Sequence, residues 1–151
     1  MVVGRTRASF LREGEAFYLE RLRRYVRTDW VEVKASGTTK GRPEGEAIRE
    51  EGRALSKRLR SGEISVALDR TGTEHDSKGL ARWLQGLSRR AGGPVSFMVG
   101  GPLGMSRELV READAVLSLS RLTLTHEMVR LVLLEQLYRA CTIMAGERYH
   151  K

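Results

Sequence analysis

The sequence predicts an α/β protein with a mostly parallel sheet and helices on both faces. Three apolar runs carry that expectation: residues 65–68, 95–99 and 115–119. Each ends in a loop of small and polar residues, 69–76, 100–106 and 120–127, and a long apolar helix over 128–145 follows the last loop. Strands buried on both faces read as continuous apolar runs, and such sheets bind ligands where their strands end.

Taken in order, Met1, Val2 and Val3 are the end of a first strand, and residues 4–9 a loop leading into a helix over 8–27. Phe10, Leu11, Phe17, Tyr18, Leu22, Tyr25 and Val26 recur on one broad face of that helix. Residues 30–34 alternate apolar and polar, as a half-buried strand does. A basic loop over 36–45 precedes an amphipathic helix over 46–60, with Ile48, Leu55 and Leu59 inward and Ser61-Gly62 as its stop. The strand at 64–68 is followed by a helix over 77–90, capped by Asp76 or Ser77, with Leu80, Trp83, Leu84 and Leu87 inward. After the strand at 95–99, Ser106 caps a short helix over 107–113, and 115–119 is the last strand. Strands and helices alternate without an internal repeat or a linker, which makes residues 1–151 one domain.

Of the 151 residues 40% are hydrophobic, enough for a core in a domain that buries roughly 70% of its unfolded surface. No apolar run approaches the ~20 residues that span a bilayer, and the start lacks an apolar leader. The lone Cys141 leaves no disulfide partner and no cysteine cluster for zinc. Cytoplasmic residence follows as the expectation. The net charge is +8 and uneven: residues 1–60 hold 15 basic and 9 acidic side chains, residues 61–151 hold 12 and 10. A basic N-terminal half suits a polyanionic partner, with Arg21, Arg23 and Arg24 as candidate phosphate contacts. A solvated helix face explains the same arginines.

Several motifs carry chemistry. Gly100-Gly101-Pro102-Leu103-Gly104 sits between a buried strand and a helix, where glycines permit a tight turn and close approach to a ligand. It lacks the Gly-x-Gly-x-x-Gly spacing and the Lys-Ser/Thr of nucleotide loops, and a plain structural turn remains the alternative. His126-Glu127-Met128-Val129-Arg130 begins like a zincin helix, but Arg130 stands where the second histidine is required, so no metal site is expected. Residues 119–124 place leucines in a loop, as packing or covering a partly apolar ligand demands. The helix over 128–145 is apolar nearly all round, so it is covered on more than one side. Either a second subunit or a central position in the fold supplies that cover. The tail, with Tyr149, His150 and Lys151, combines an aromatic ring, an imidazole and a cation, a mix suited to a nucleotide.

Together these residues resemble the RlmH family, the smallest SPOUT methyltransferases. The resemblance rests on Leu68-Asp69, Val99 to Gly104, Leu119 to His126, Val129-Arg130, Glu135 to Ala140 and Tyr149-His150-Lys151. It implies a C-terminal trefoil knot, a homodimer, and S-adenosylmethionine bound in the knot. The implied reaction is methylation of N3 of a pseudouridine in helix 69 of 23S ribosomal RNA. By motif match the donor site falls on Leu68, Gly100, Gly101, Leu119, Ser120, Arg121, Leu122, Thr123 and Leu124. Arg130, Arg139 and the tail, Tyr149 with His150 and Lys151, are candidates for orienting the base and stabilising its developing charge. His150 is the first candidate base and His126 the second, since imidazole titrates near neutral pH. Lys151 also joins the arginines as an RNA contact. The sequence departs from the family in having Thr125 where proline is common, and in a shorter first strand. A non-catalytic ribosome-associated protein of the same fold, or a knotted methyltransferase of transfer RNA, are the alternatives.

Overall fold

The computed structural model describes residues 1–36 and 43–147. In chain order the elements are β1 (Val2–Val3), α1 (Ser9–Leu22), β2 (Glu32–Val33), α2 (Glu44–Ser56), β3 (Ile64–Thr73), α3 (Ser77–Arg90), β4 (Val95–Met98), α4 (Arg107–Glu112), β5 (Ala115–Leu117) and α5 (His126–Met144). All strand pairs are parallel: β1 with β2, and β3 between β4 and β5. A bridge from Val2 to Val99, just past β4, joins the two sheets. The strands therefore lie in the order β2-β1-β4-β3-β5. Val3 donates its N–H to the Val99 carbonyl (3.2 Å), and Val99 donates to Met1 (3.0 Å). The first strand is short but hydrogen-bonded on both edges.

Successive strand residues face opposite sides of the sheet, and the core divides accordingly. Val2, Val66, Val99 and Leu117 pack with Leu80, Leu84 and Leu87 of α3 and Leu133 and Ala140 of α5. Val3, Ala67 and Met98 face the other way, onto Leu55 of α2 and Leu109 of α4. The expected helices on both faces are present.

α5 lies between α1 and α3, and none of residues 126–143 is fully exposed. Neighbouring helices thus supply at least part of the cover that its all-round apolarity demands. Gly14 of α1 permits this packing, because a Cβ there would fall 2.8 Å from Leu131 Cδ1. Among the described residues, no helix is long and apolar enough to cross a membrane.

Several boundaries differ from expectation for identifiable reasons. α1 ends at Leu22, not 27, because Arg24 and Tyr25 bond three residues back instead of four. Tyr25 is drawn to Tyr138 (rings 5.9 Å apart), and its hydroxyl donates to Glu147 (2.6 Å). Phe10 and Phe17, expected inward on α1, are 66% and 50% exposed; Leu11 and Leu22 form its buried face. The second strand is only Glu32–Val33. α2 starts on Glu44, beside Pro43, with Glu44 and Glu46 favourably placed in its first turn. It ends before Ser61, in a turn closed by Arg58 and Leu59 bonding three residues back.

The largest difference is β3, which continues through the expected loop to Thr73. Leu68 and Thr73 both register with Leu117, so residues 69–72 make a four-residue excursion and the strand rejoins β5. Gly72 permits the return: a Cβ there would lie 2.6–2.7 Å from the Val116 and Leu117 backbone. β5 correspondingly ends at Leu117, and Ser118 donates its N–H to the Thr73 carbonyl (3.1 Å). α5 begins at His126, capped by the Thr125 hydroxyl, which accepts from the Met128 N–H (3.3 Å).

Candidate active site

Where the chain leaves the β3 ladder after Leu68, beside the end of β5, the backbones separate around a cleft of about 150 Å³. Leu68, Asp69 and Arg70 form one wall; Leu117, Ser118, Leu119, Ser120, Leu122, Thr123, Leu124 and Val129 form the rest. The excursion after Leu68 is held by Asp69, whose Oδ1 accepts from the Thr71 N–H (2.9 Å) and hydroxyl (2.7 Å). The facing loop is held by its serines. Ser118 Oγ donates to the Ser120 carbonyl (3.3 Å), and Ser120 Oγ accepts from the Leu122 N–H (3.0 Å). These local bonds satisfy a loop that would otherwise compete for water. Its leucine carbons are free to line the cleft, and Leu122 is 76% exposed there.

The structure brings Leu68, Leu119, Ser120, Leu122, Thr123 and Leu124 together in the lining of this cleft. Arg121 is not among the lining residues; its exposed guanidinium pairs with Glu74 (3.3 Å) across the rim. Gly100 and Gly101 are not among the residues that line the cleft. They are buried in a turn closed by the Gly104 N–H on the Gly101 carbonyl (2.9 Å), against Val3 and the Glu51 carboxylate. Asp69, Arg70, Leu117, Ser118 and Val129 were not expected. Their signal was adjacency to Leu68 and Leu119, and, for Val129, one helical turn from Thr125.

Arg130 is fully buried and points away from the surface. Its guanidinium donates to the carbonyls of Val3 and Gly4 and to the Thr6 hydroxyl (2.9 Å), which in turn donates to buried Glu15 (2.7 Å). Burial raises the Glu15 pKa, an effect opposed by the Thr6 bond and the charge of Arg130. Arg130 thus ties α5 to the loop after β1. Glu127 makes a second tie. Its carboxylate accepts from the N–H groups of Arg7 (2.9 Å) and Ala8 (3.3 Å), at the start of α1, where Ala8 offers no cap of its own. The Arg7 bond above all holds the Glu127 pKa below the usual carboxylate range.

His126 is half-buried at the first turn of α5, two residues past Leu124. Burial, then the positive charge of Arg130, pushes its pKa down, which favours the neutral imidazole. Arg139 is held by Glu135 through two bonds, 3.0 and 2.7 Å. Arg21 stacks over the Phe17 ring at 3.9 Å, while Arg23 and Arg24 are exposed just past the end of α1. Tyr149, His150 and Lys151 lie outside the described residues.

Comparison with known proteins agrees with this geometry. Residues 1–150 match the sequence model of a family described as predicted SPOUT methyltransferase. A protein of Rubrobacter xylanophilus named ribosomal RNA large subunit methyltransferase H is 46% identical, over 99% of this chain and 95% of its own. Proteins of the same name from Pelotomaculum thermopropionicum and Thermotoga neapolitana are 42% and 38% identical. Each alignment covers 99% of this chain, and respectively 96% and 97% of the relative. A parallel sheet with a leucine-lined cleft at its strand ends, matched over its length in this way, places the chain in the SPOUT methyltransferase family.

Proposed function

We propose that the chain methylates N3 of a pseudouridine in helix 69 of 23S ribosomal RNA, with S-adenosylmethionine as donor, in the cytoplasm. The observation that carries this reading is the cleft. It is built from Leu68 and residues of the loop from Leu119 to Leu124, stretches that the family resemblance gives to the donor together with Gly100 and Gly101. The near full-length relatives are named for the large-subunit RNA. The lining fits the group: aliphatic carbon for a purine ring, and hydroxyls and loop backbone for a ribose and an amino acid.

When bound, S-adenosylmethionine supplies a methyl group already activated by its sulfonium. The leucines and Val129 hold the adenine and keep water out. Gly100 and Gly101, in the turn that packs on Val3, are the further donor contacts that the family resemblance gives. His150, with Tyr149, is the first candidate to accept the imide proton, and His126 the second. Arg139 and Lys151 counter the negative charge that develops on the base. Arg130 works as a positioning residue through the loop after β1. Exposed Arg23 and Arg24, with Arg21, contact RNA phosphates.

The working unit is one domain per subunit, knotted near its C-terminus and paired as a homodimer. Support for one domain comes from Val2 and Ala140 sharing a core. Support for the knot comes from the path: β5 crosses to the far side of β3 from β4, and α5 then returns between α1 and α3. Two observations support the dimer. The cleft, at about 150 Å³, is well below the roughly 300 Å³ of a small ligand site, so it needs a further wall. Phe10, Phe17 and Leu122 also leave large apolar surfaces uncovered.

Mass spectrometry of helix 69 nucleosides, after incubating large subunits with protein and donor, tests the reaction. A new methylpseudouridine is expected; an unmodified helix 69 beside a methylated transfer RNA would move the substrate elsewhere. Sedimentation should give twice the chain mass at micromolar protein, and a single-chain mass would remove the dimer.

A further inference from the structure

We infer that Asp69 is a specificity-determining residue that favours a cationic donor over its neutral product. The inference rests on the methyltransferase reading above. The donor and its product, S-adenosylhomocysteine, share adenosine, amino group and carboxylate. They differ at sulfur, which is positive in one and neutral in the other. The cleft is walled mainly by Leu68, Leu117, Leu119, Leu122, Leu124 and Val129. Such walls remove water from a cation without replacing it, so alone they favour the neutral product.

Asp69 is the one carboxylate among the residues lining the cleft. Its orientation is set, because Oδ1 takes both hydrogen bonds from Thr71. Oδ2 accepts no hydrogen bond and Asp69 forms no ion pair among the described residues, although Arg70 lies next to it in the same wall, so the carboxylate is not held by a paired cation. The backbone beneath it is fixed as well, since Gly72 lies directly on the backbone of Val116 and Leu117. A charge held this way requires little rearrangement to meet a sulfonium, and it offsets the desolvation that the leucines impose.

The test is Asp69→Asn, measured by isothermal titration with each of the two compounds. Asparagine keeps an Oδ1 acceptor for both Thr71 bonds and removes only the charge. Affinity for S-adenosylmethionine should fall at least about fivefold, the factor that a unit-charge contact at 4 Å retains under the screening of bulk water. Affinity for S-adenosylhomocysteine should stay within about twofold, since it lacks the charge. An equal fall for both compounds, or no change for either, would overturn the inference. Should the variant not fold, the unaltered protein gives a second reading. Raising salt from about 0.05 to 0.5 M should lower its affinity ratio for donor over product. A constant ratio would also overturn the inference. Failure of the unaltered protein to bind either compound would sink the methyltransferase reading instead.

Discussion

Replacing Arg130 by methionine tests the claim that its work is structural. The side chain is 0% exposed, and its guanidinium bonds the carbonyls of Val3 and Gly4 and the Thr6 hydroxyl. Methionine fills much of the space but donates nothing. Two carbonyls and a hydroxyl lose a charged donor, and buried Glu15 loses the cation that favours its ionised form. Breaking a buried charged arrangement from one side costs about 3–5 kcal/mol. For a chain of this length that lowers the thermal midpoint by about 10 °C. Differential scanning calorimetry of R130M, E15Q and R130M/E15Q reads both parts. With Glu15 already neutral, the Arg130 replacement should cost about 1–2 kcal/mol less, because no carboxylate is orphaned. A drop under about 3 °C in R130M would refute the structural assignment. Equal costs in the two backgrounds would refute the coupling to Glu15.

Three further predictions follow from other parts of the molecule. Gly72→Ala puts a Cβ against the backbone of Val116 and Leu117, which cannot rotate aside; a loss of about 2–3 kcal/mol and weaker donor binding are expected. Thermal melts and titration check it, and an unchanged midpoint would mean that β5 yields. Ser65 donates its N–H and hydroxyl to Asp114 (2.8 and 2.7 Å), the N–H bond foremost, and holds its pKa below the ordinary value. A depressed carboxylate stabilises above its unfolded pKa and ceases to as pH falls through its folded one. Ser65→Ala should therefore show a shallower loss of stability in acid, and an unaltered acid slope would contradict the assignment. Replacing Arg21, Arg23 and Arg24 together by alanine should reduce the salt slope of RNA binding by about 2–3. Donor affinity should be unchanged, and filter binding across a salt series would expose a constant slope.

Much of the architecture was legible because its signals are local. The runs at β3, β4 and β5 are apolar over consecutive residues, and α3 repeats leucine at helical spacing, with Asp76 at its cap. Leucines in an otherwise polar loop, from Leu119 to Leu124, marked the cleft before any geometry did. Gly100 and Gly101 show what a local signal leaves open. A glycine pair after a strand signals close approach, and the close neighbours here are Val3, Glu51 and Gly104, not the cleft.

The sequence alone determined the order of elements, the buried apolar runs that become β3, β4 and β5, and the loop that gathers leucines. Each depends on residues only a few positions apart, within reach of backbone geometry and side-chain period. The tertiary structure alone decided that β3 rejoins β5 at Thr73, that Glu127 caps a helix begun some 120 residues earlier, and that Arg130 serves the first loop. Those outcomes depend on which distant groups share a buried volume. There an unpaired donor or carboxylate is costly, and the nearest partner in space meets the need whatever its distance along the chain.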